Sequence, residues 1–261
     1  MHSGTSDLNQ IRRRILTSAF KANEGHIPTS FSILEILYYF YDFQIKKYGS
    51  VESSPDRLIL SKGHAAIGLY SVLAHFKLIP NDWLDTFCTF DSPLGGHPDQ
   101  RKIPHVHAST GSLGHGLPIA VGMALGEIIL KRSSKIYVLV GDGELNEGSN
   151  WESILVAAHH GLHGLSLIVD VNDSSARALK MENLKGKFQS FGWTVSEIDG
   201  HSQKDIETYF THDNTRTTKS PNVLLAKTIK GKGVRRMENS HEWHHKVPSG
   251  HELEEMLLEL K

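Results

Sequence analysis

The sequence has 261 residues, enough for one large domain or two small ones and for a core that needs no staples. Hydrophobic residues at 39% and charged ones at 22% exclude a disordered chain, and 28 Lys+Arg against 29 Asp+Glu, a net charge of −1, exclude a general nucleic-acid or polybasic membrane binder. A single cysteine, Cys88, excludes an internal disulfide framework and a Cys-rich zinc site. It fits a reducing cytoplasm, and its apolar character predicts a buried position. The N-terminal stretch has no signal-peptide core, and no apolar run approaches the roughly 18 residues of a membrane span. The composition holds 17 histidines, an excess of the side chain best suited to moving protons near neutral pH.

In chain order, Leu8, Ile11, Ile15 and Ala19 recur at helical spacing and predict a helix over 7–22, with Ser6 as N-cap and Arg12, Arg13 and Arg14 mostly on its solvated side. Ser32 and Glu35 have capping-box spacing, which opens an aromatic-rich helix to about Tyr48. A short strand follows at 57–60, then helices over 64–76 and 81–90. Residues 91–116, rich in Gly, Pro, His and Ser, read as a long functional loop. The pattern then becomes regular: helix 117–131, strand 136–140, helix 149–160 and strand 165–171, a helix ending near Phe188, strand 193–198, helix 202–210 and strand 222–228. Continuously apolar strands alternating with helices predict an α/β fold over residues 1–261: an open, mostly parallel five-stranded sheet with helices on both faces, as one domain. The last thirty residues read as polar and hold His241, His244, His245 and His251.

Ligands of such sheets sit beyond the carboxyl ends of the strands. Strand 136–140 runs into Gly141-Asp142-Gly143 and strand 165–171 into Asn172, so the carboxylate and the amide share one edge. Hard oxygen ligands of this kind suit Mg²⁺ together with phosphate oxygens, and Gly141 and Gly143 let backbone approach a phosphate. Spacing alone thus points to a metal–diphosphate site.

Gly-Asp-Gly, 28 residues, then Asn is the spacing of the thiamine diphosphate-binding motif. With GDGELNEGSNWES and LIVDVND around it, the chain resembles the diphosphate-binding domain of transketolases. The likeness continues in order through EGHIPTS, SKGHAA, GGHP, ASTGSLGHGLPIAVGMALG and KTIKGKG. It is similar to the N-terminal subunit of a split, two-gene transketolase. That resemblance implies Asp142, Asn172 and the backbone carbonyl of Ser174 as Mg²⁺ ligands, and Gly141 and Gly143 against the diphosphate. It places the backbone of Ser112 and Leu113 along the cofactor and His64 near the diphosphate. His26, His97 and His244 match histidines facing the substrate, and Glu147 matches a glutamate in an acidic relay between two active sites. Along the HEWHHKVP stretch, His244 and His245 are adjacent and no helical i, i+4 pair with a glutamate base occurs, so spacing there gives no zinc site.

The implied activity is transfer of a two-carbon ketol unit from a ketose or ketose phosphate to an aldose, carried by thiamine diphosphate with Mg²⁺ or another divalent cation. The implied partner is a separately encoded C-terminal subunit that binds the aminopyrimidine, in an α2β2 assembly, with no nucleic acid and no membrane. The apolar segments 117–131 and 31–41 are candidates for the docking face, or simply core. Other readings are a 1-deoxyxylulose-phosphate synthase-like or decarboxylase subunit, or a non-catalytic transketolase-like module. The sequence departs from the family at Pro28 and Thr29, where two glycines are frequent, at His107, where an acidic residue is common, and in the loop DSSARAL after Asn172. These changes are expected near substrate or cofactor, and they put the usual pentose-phosphate substrates in doubt.

Overall fold

A computed structural model describes residues 4–174, 176, 179–215 and 219–261. Five strands, β1 (Arg57–Leu60), β2 (Ile136–Gly141), β3 (Leu165–Val171), β4 (Thr194–Asp199) and β5 (Asn222–Lys227), pair entirely in parallel in the order β1-β2-β3-β5-β4. The expected sheet is present and has no antiparallel member among the described residues.

Alternation along the strands sorts the core into two layers. Tyr137, Leu139, Ile168, Leu224 and Ala226 face one cluster. Ile136, Val138, Val140, Leu165, Leu167, Val169, Val223 and Leu225 face the other. The first layer takes the helices α1 (Gly4–Ala22), α2 (Ile27–Ser32), α3 (Leu34–Tyr48), α4 (Ala66–His75), α8 (Gln203–Thr215) and α9 (Gly250–Glu259). The second takes α5 (Gly116–Ile129), α6 (Gly148–His159) and α7 (Leu184–Ser190). Residues 31–41 are wholly absorbed in the first layer, so that segment is core. At α5 the far end stays open: Ile128, Ile129 and Leu130 are exposed, as are Leu155 and Val156 on α6, which packs against α5. Among the described residues no helix is long and apolar enough to cross a membrane.

Several local expectations are corrected. Helix α1 begins at Gly4, so Ser6 lies inside its first turn rather than capping it. Arg12 is not solvated: it is 5% exposed, its Nη2 pairs with the buried carboxylate of Glu35, and its Nε donates to the carbonyl of Lys232 at 3.0 Å. The capping box at Ser32–Glu35 does not form. Both side chains are taken by tertiary partners, Ser32 Oγ donating to Asp170 at 2.7 Å and Glu35 pairing with Arg12 and with His201 Nδ1 at 3.0 Å. The chain breaks there instead into α2 and α3, with Ile33 between them. A capping box does form at Ser249 and Glu252, opening α9 in the stretch read as merely polar. The helix expected over 81–90 is only a 3-10 segment, Asn81–Thr86, where Thr86 Oγ1 bonds back to the Trp83 carbonyl at 3.0 Å and competes with helix continuation. Cys88 follows at φ 57 in a turn and is exposed, not buried.

Glu35 shows what this buried pairing does. Burial pushes its pKa up, yet the His201 hydrogen bond and the Arg12 charge bring the net shift below the usual carboxylate range. Removing one partner strands a buried charge, so Arg12→Ala is expected to lower the unfolding free energy by about 3–5 kcal/mol. Urea denaturation measures this, and a loss under about 1 kcal/mol would reduce the pair to surface strength.

Candidate active site

Strands β2 and β3 end side by side, with Gly141 in register with Asp170 and the Asp142 N–H donating to the Asp170 carbonyl at 3.0 Å. Asp142 therefore starts the turn after β2 directly beside the exit of β3. Its Oδ1 accepts from the Gly143 N–H at 2.7 Å, and its Oδ2 from the N–H groups of Asn172 at 3.2 Å and Asp173 at 2.6 Å. Asn172 donates through Nδ2 to Ser32 Oγ at 3.1 Å and to Asp170 Oδ2 at 3.0 Å, which turns its Oδ1 away toward the Ser174 N–H at 3.0 Å. The amide is thus oriented by its own hydrogen bonds.

A cavity of about 520 Å³ opens at this edge. Asp142, Asn172, Ser174, Gly141 and Gly143 line it, as do Leu113 and the four histidines His26, His64, His97 and His244. The structure therefore brings together, from separate stretches of chain, most of the residues singled out in the sequence. Ser112 and Glu147 are exposed and do not line this cavity. Glu147 precedes α6 and lies against the glycine loop: a Cβ at Gly114, where φ is +81°, would sit 2.6 Å from the Glu147 Cβ. His107 does not reach the cavity; it is held at β1, where its Nδ1 lies 3.2 Å from both the N–H and the carbonyl oxygen of Leu58. Pro28 opens α2, and Thr29 meets the site, with Oγ1 3.2 Å from His64 Nε2. In the DSSARAL loop, Ser175, Arg177 and Ala178 lie outside the described residues.

Several polar residues of the site were not singled out in the sequence, among them Asp170, Glu144, Lys62 and Lys230. Asp170, fully buried, accepts from Ser32, Thr228, Lys62 and Asn172. Glu144 ties the glycine loop down, accepting from the Gly114 N–H at 2.9 Å and from Ser61 Oγ. Lys62 and Lys230 line the cavity. Both lysines sit inside the motifs SKGHAA and KTIKGKG, and Asp170 is a lone charge in an apolar strand; those were the available signals.

Tautomers follow from fixed partners. A carboxylate only accepts, so the 3.1 Å contact from His26 Nδ1 to Glu24 Oε1 puts the proton on Nδ1 and leaves Nε2 bare. An ammonium only donates, so the 2.8 Å contact from Lys230 Nζ to His244 Nδ1 puts the His244 proton on Nε2. His26 also holds a left-handed φ of 55° at the start of α2, a strained backbone for a side chain of this size.

Charge in the cavity is under-compensated in both signs. Burial, then the neighbouring Asp170, raise the pKa of Asp142 despite its backbone hydrogen bonds. Burial, then Lys62, lower that of Lys230 to about 8 against the pull of Asp170 and Asp142. A carboxylate disfavoured in its charged form is what a divalent cation stabilises, and an ammonium so disfavoured is what an anion stabilises. In addition, a Cβ placed at Gly141 would meet no atom within 4 Å. The donor set fits a cation paired with a diphosphate.

Fold and site define a doubly wound α/β domain with its ligand crevice at the carboxyl edge of the sheet. The chain belongs to the transketolase family, as its thiamine diphosphate-binding domain, which it matches over residues 5–257, and it is a transferase of that type. It is 41% identical over 259 residues to one subunit of the apulose-4-phosphate transketolase of Actinobacillus succinogenes, covering 96% of this chain and 93% of that one. It is 35% identical over 256 residues to the protein of the same name from Phocaeicola vulgatus, covering 95% and 90%. The transketolase from Leishmania mexicana has the same fold at a TM-score of 0.86 and 23% identity, over all of this chain and 41% of that one.

Burial, followed by the charges of Lys62 and His26, holds the pKa of His64 down to about 2. A histidine in the unfolded chain titrates near 6.5. Below that pH the unfolded state binds a proton that the folded state refuses, so stability falls as pH drops. The melting temperature of the wild type is expected to fall more steeply between pH 7 and 5 than that of His64→Asn. Parallel slopes in circular-dichroism melts would reject the buried neutral histidine.

Proposed function

We propose that this chain is the diphosphate-binding subunit of a split transketolase. Residues 1–261 act as one such domain, and a separately encoded subunit supplies the aminopyrimidine-binding half in an α2β2 assembly. Both relatives are named as one subunit of a larger enzyme, which supports a partner, as does the exposed apolar end of α5 with Leu155 and Val156. The observation that carries the cofactor reading is the pairing, on one cavity, of an under-compensated carboxylate with an under-compensated ammonium. Asp142, Asn172 and the Ser174 carbonyl would hold Mg²⁺, with Gly141, Gly143 and the backbone of Ser112 and Leu113 along thiamine diphosphate. His64 and Lys230 would stand toward the diphosphate, and Glu147 would serve the relay between sites.

When bound, thiamine diphosphate supplies the electron sink for breaking and making the carbon–carbon bond of a ketol. The chain's own residues orient the sugar and move protons on and off its oxygens. His26, with Nε2 bare, accepts a proton there; His244, with its proton on Nε2, donates one, and His97 completes the histidine wall. The apulose-4-phosphate in the relatives' names supports a phosphorylated ketose as the donor, with an aldose as the acceptor.

Asp142→Ala removes the anionic ligand and is expected to weaken Mg²⁺-dependent thiamine diphosphate binding strongly while the fold persists, since the residue sits at a strand exit. Calorimetric titration checks it; wild-type affinity in the variant would sink the site assignment. His26→Ala and His97→Ala are expected to lower ketol-transfer turnover by about 10²–10⁴ with cofactor affinity nearly unchanged. The isolated chain is expected to be inactive and to gain ketol transfer only with its partner, as read by rate assays and light scattering; full activity alone would overturn the split-enzyme reading.

A further inference from the structure

At the site's rim, His26 also belongs to a cluster whose other members, Glu24 and His245, have no part in the proposed chemistry. Glu24, His26 and His245 each offer one ligand atom, and these atoms lie within 4.8 Å of one another. Glu24 Oε1 is 3.1 Å from His26 Nδ1 and 3.2 Å from His245 Nε2. The His26 and His245 rings meet edge to face at 4.3 Å between centroids. A tetrahedral zinc ion with ligands at about 2.0–2.1 Å spaces them about 3.3 Å apart, so the carboxylate needs almost no movement to serve both imidazoles through a metal.

The two strands of chain that carry the cluster are clamped. A Cβ at Gly25 would lie 2.4 Å from the His245 carbonyl oxygen, so only glycine lets residues 24–26 and 244–246 approach this closely. The left-handed backbone of His26 fixes its ring at the junction. Ligands drawn from opposite ends of the sequence explain why spacing within the C-terminal stretch gave no zinc site.

We propose that Glu24, His26 and His245 form a binding site for a borderline transition dication of the Zn²⁺ class, separate from the hard oxygen ligands Asp142 and Asn172. Two imidazoles and one carboxylate are a set that Zn²⁺ accepts, with water in the fourth position, and that Mg²⁺ does not favour. Glu24 already touches both imidazoles, so the three ligands are gathered before a metal arrives. With the metal on Nδ1, the single proton of the neutral ring resides on Nε2. Occupation thus converts His26 from a proton acceptor into a donor at Nε2. That consequence rests on the role proposed for His26; the binding does not, so the test reads binding.

The metal-free chain is titrated with Zn²⁺ by calorimetry in saturating Mg²⁺, and with Co²⁺ to record the visible bands of four-coordinate nitrogen–oxygen ligation. Saturable binding of one ion per chain is expected, weakened at least about tenfold in both His245→Ala and Glu24→Gln and retained in Asp142→Ala. His245 is exposed and Glu24 half-exposed, so both variants keep the fold, which circular dichroism verifies. Absence of saturable binding to the wild type, binding unchanged in either rim variant, or loss of binding in Asp142→Ala overturns the proposal. None of these outcomes bears on thiamine diphosphate binding.

Discussion

A carboxylate with no access to water must be ringed by donors, and Asp170 draws its donors from three distant parts of the chain and from the exit of its own strand. Ser32 ends α2, Lys62 follows β1, Thr228 follows β5 and Asn172 follows β3 itself. Each is a residue at the carboxyl edge of the sheet or facing it. Satisfying this one group therefore gathers the walls of the cavity and rotates the Asn172 amide so that its oxygen, not its nitrogen, is turned from the core. The same buried charge raises the proton affinity of Asp142 beside it. The fold thus keeps a second carboxylate close to a first, an arrangement that favours a cation at the crevice mouth.

Both lysines of the cavity answer to this charge differently. Lys62 is paired directly with Asp170 and is a structural cation. Lys230 feels Lys62 as a like charge and spends its hydrogen bond on His244, a neutral acceptor. An anion entering the cavity meets one cation already neutralised and one that gains from company. That asymmetry, rather than the number of positive groups, makes Lys230 the cation that an entering anion would stabilise.

Much of this was legible in the sequence, and the rest failed for identifiable reasons. Strand positions and the two-layer core follow largely from apolar runs such as Ile136–Val140, because a strand buried on both faces is dominated by apolar side chains. Asp142 and Asn172 could be placed together because parallel strands joined by one helix must end at one edge. The capping boxes could not. Ser32–Glu35 and Ser249–Glu252 have the same spacing, but only the second is free to cap; the first pair is claimed by Asp170, Arg12 and His201, none of them near in sequence. Arg12 was misplaced for the same reason, since its partner lies on another helix. Local pattern reads local partners, and buried polar networks are non-local by nature.

Those networks also explain why the last part of the site depends on the first helices. Residues 229–233 carry Lys230, and three anchors fix them from outside the cavity. His201 Nε2 accepts from the Ile229 N–H at 2.8 Å, the Pro28 carbonyl accepts from the Gly231 N–H at 3.0 Å, and the Lys232 carbonyl accepts from Arg12 Nε at 3.0 Å. His201 is itself held by Glu35, and Glu35 by Arg12. One closed circuit of hydrogen bonds therefore joins α1, α3, the segment after β4 and the segment after β5. It sets where Lys230 stands, and Lys230 in turn sets the tautomer of His244. The Pro28 position belongs to this circuit through its backbone carbonyl, which any residue supplies; its ring fixes φ in the first turn of α2 instead. A substitution at Arg12 or Glu35, neither of which lines the cavity, should thus disturb Lys230 and His244 before it disturbs Asp142, whose anchors all come from the strand ends.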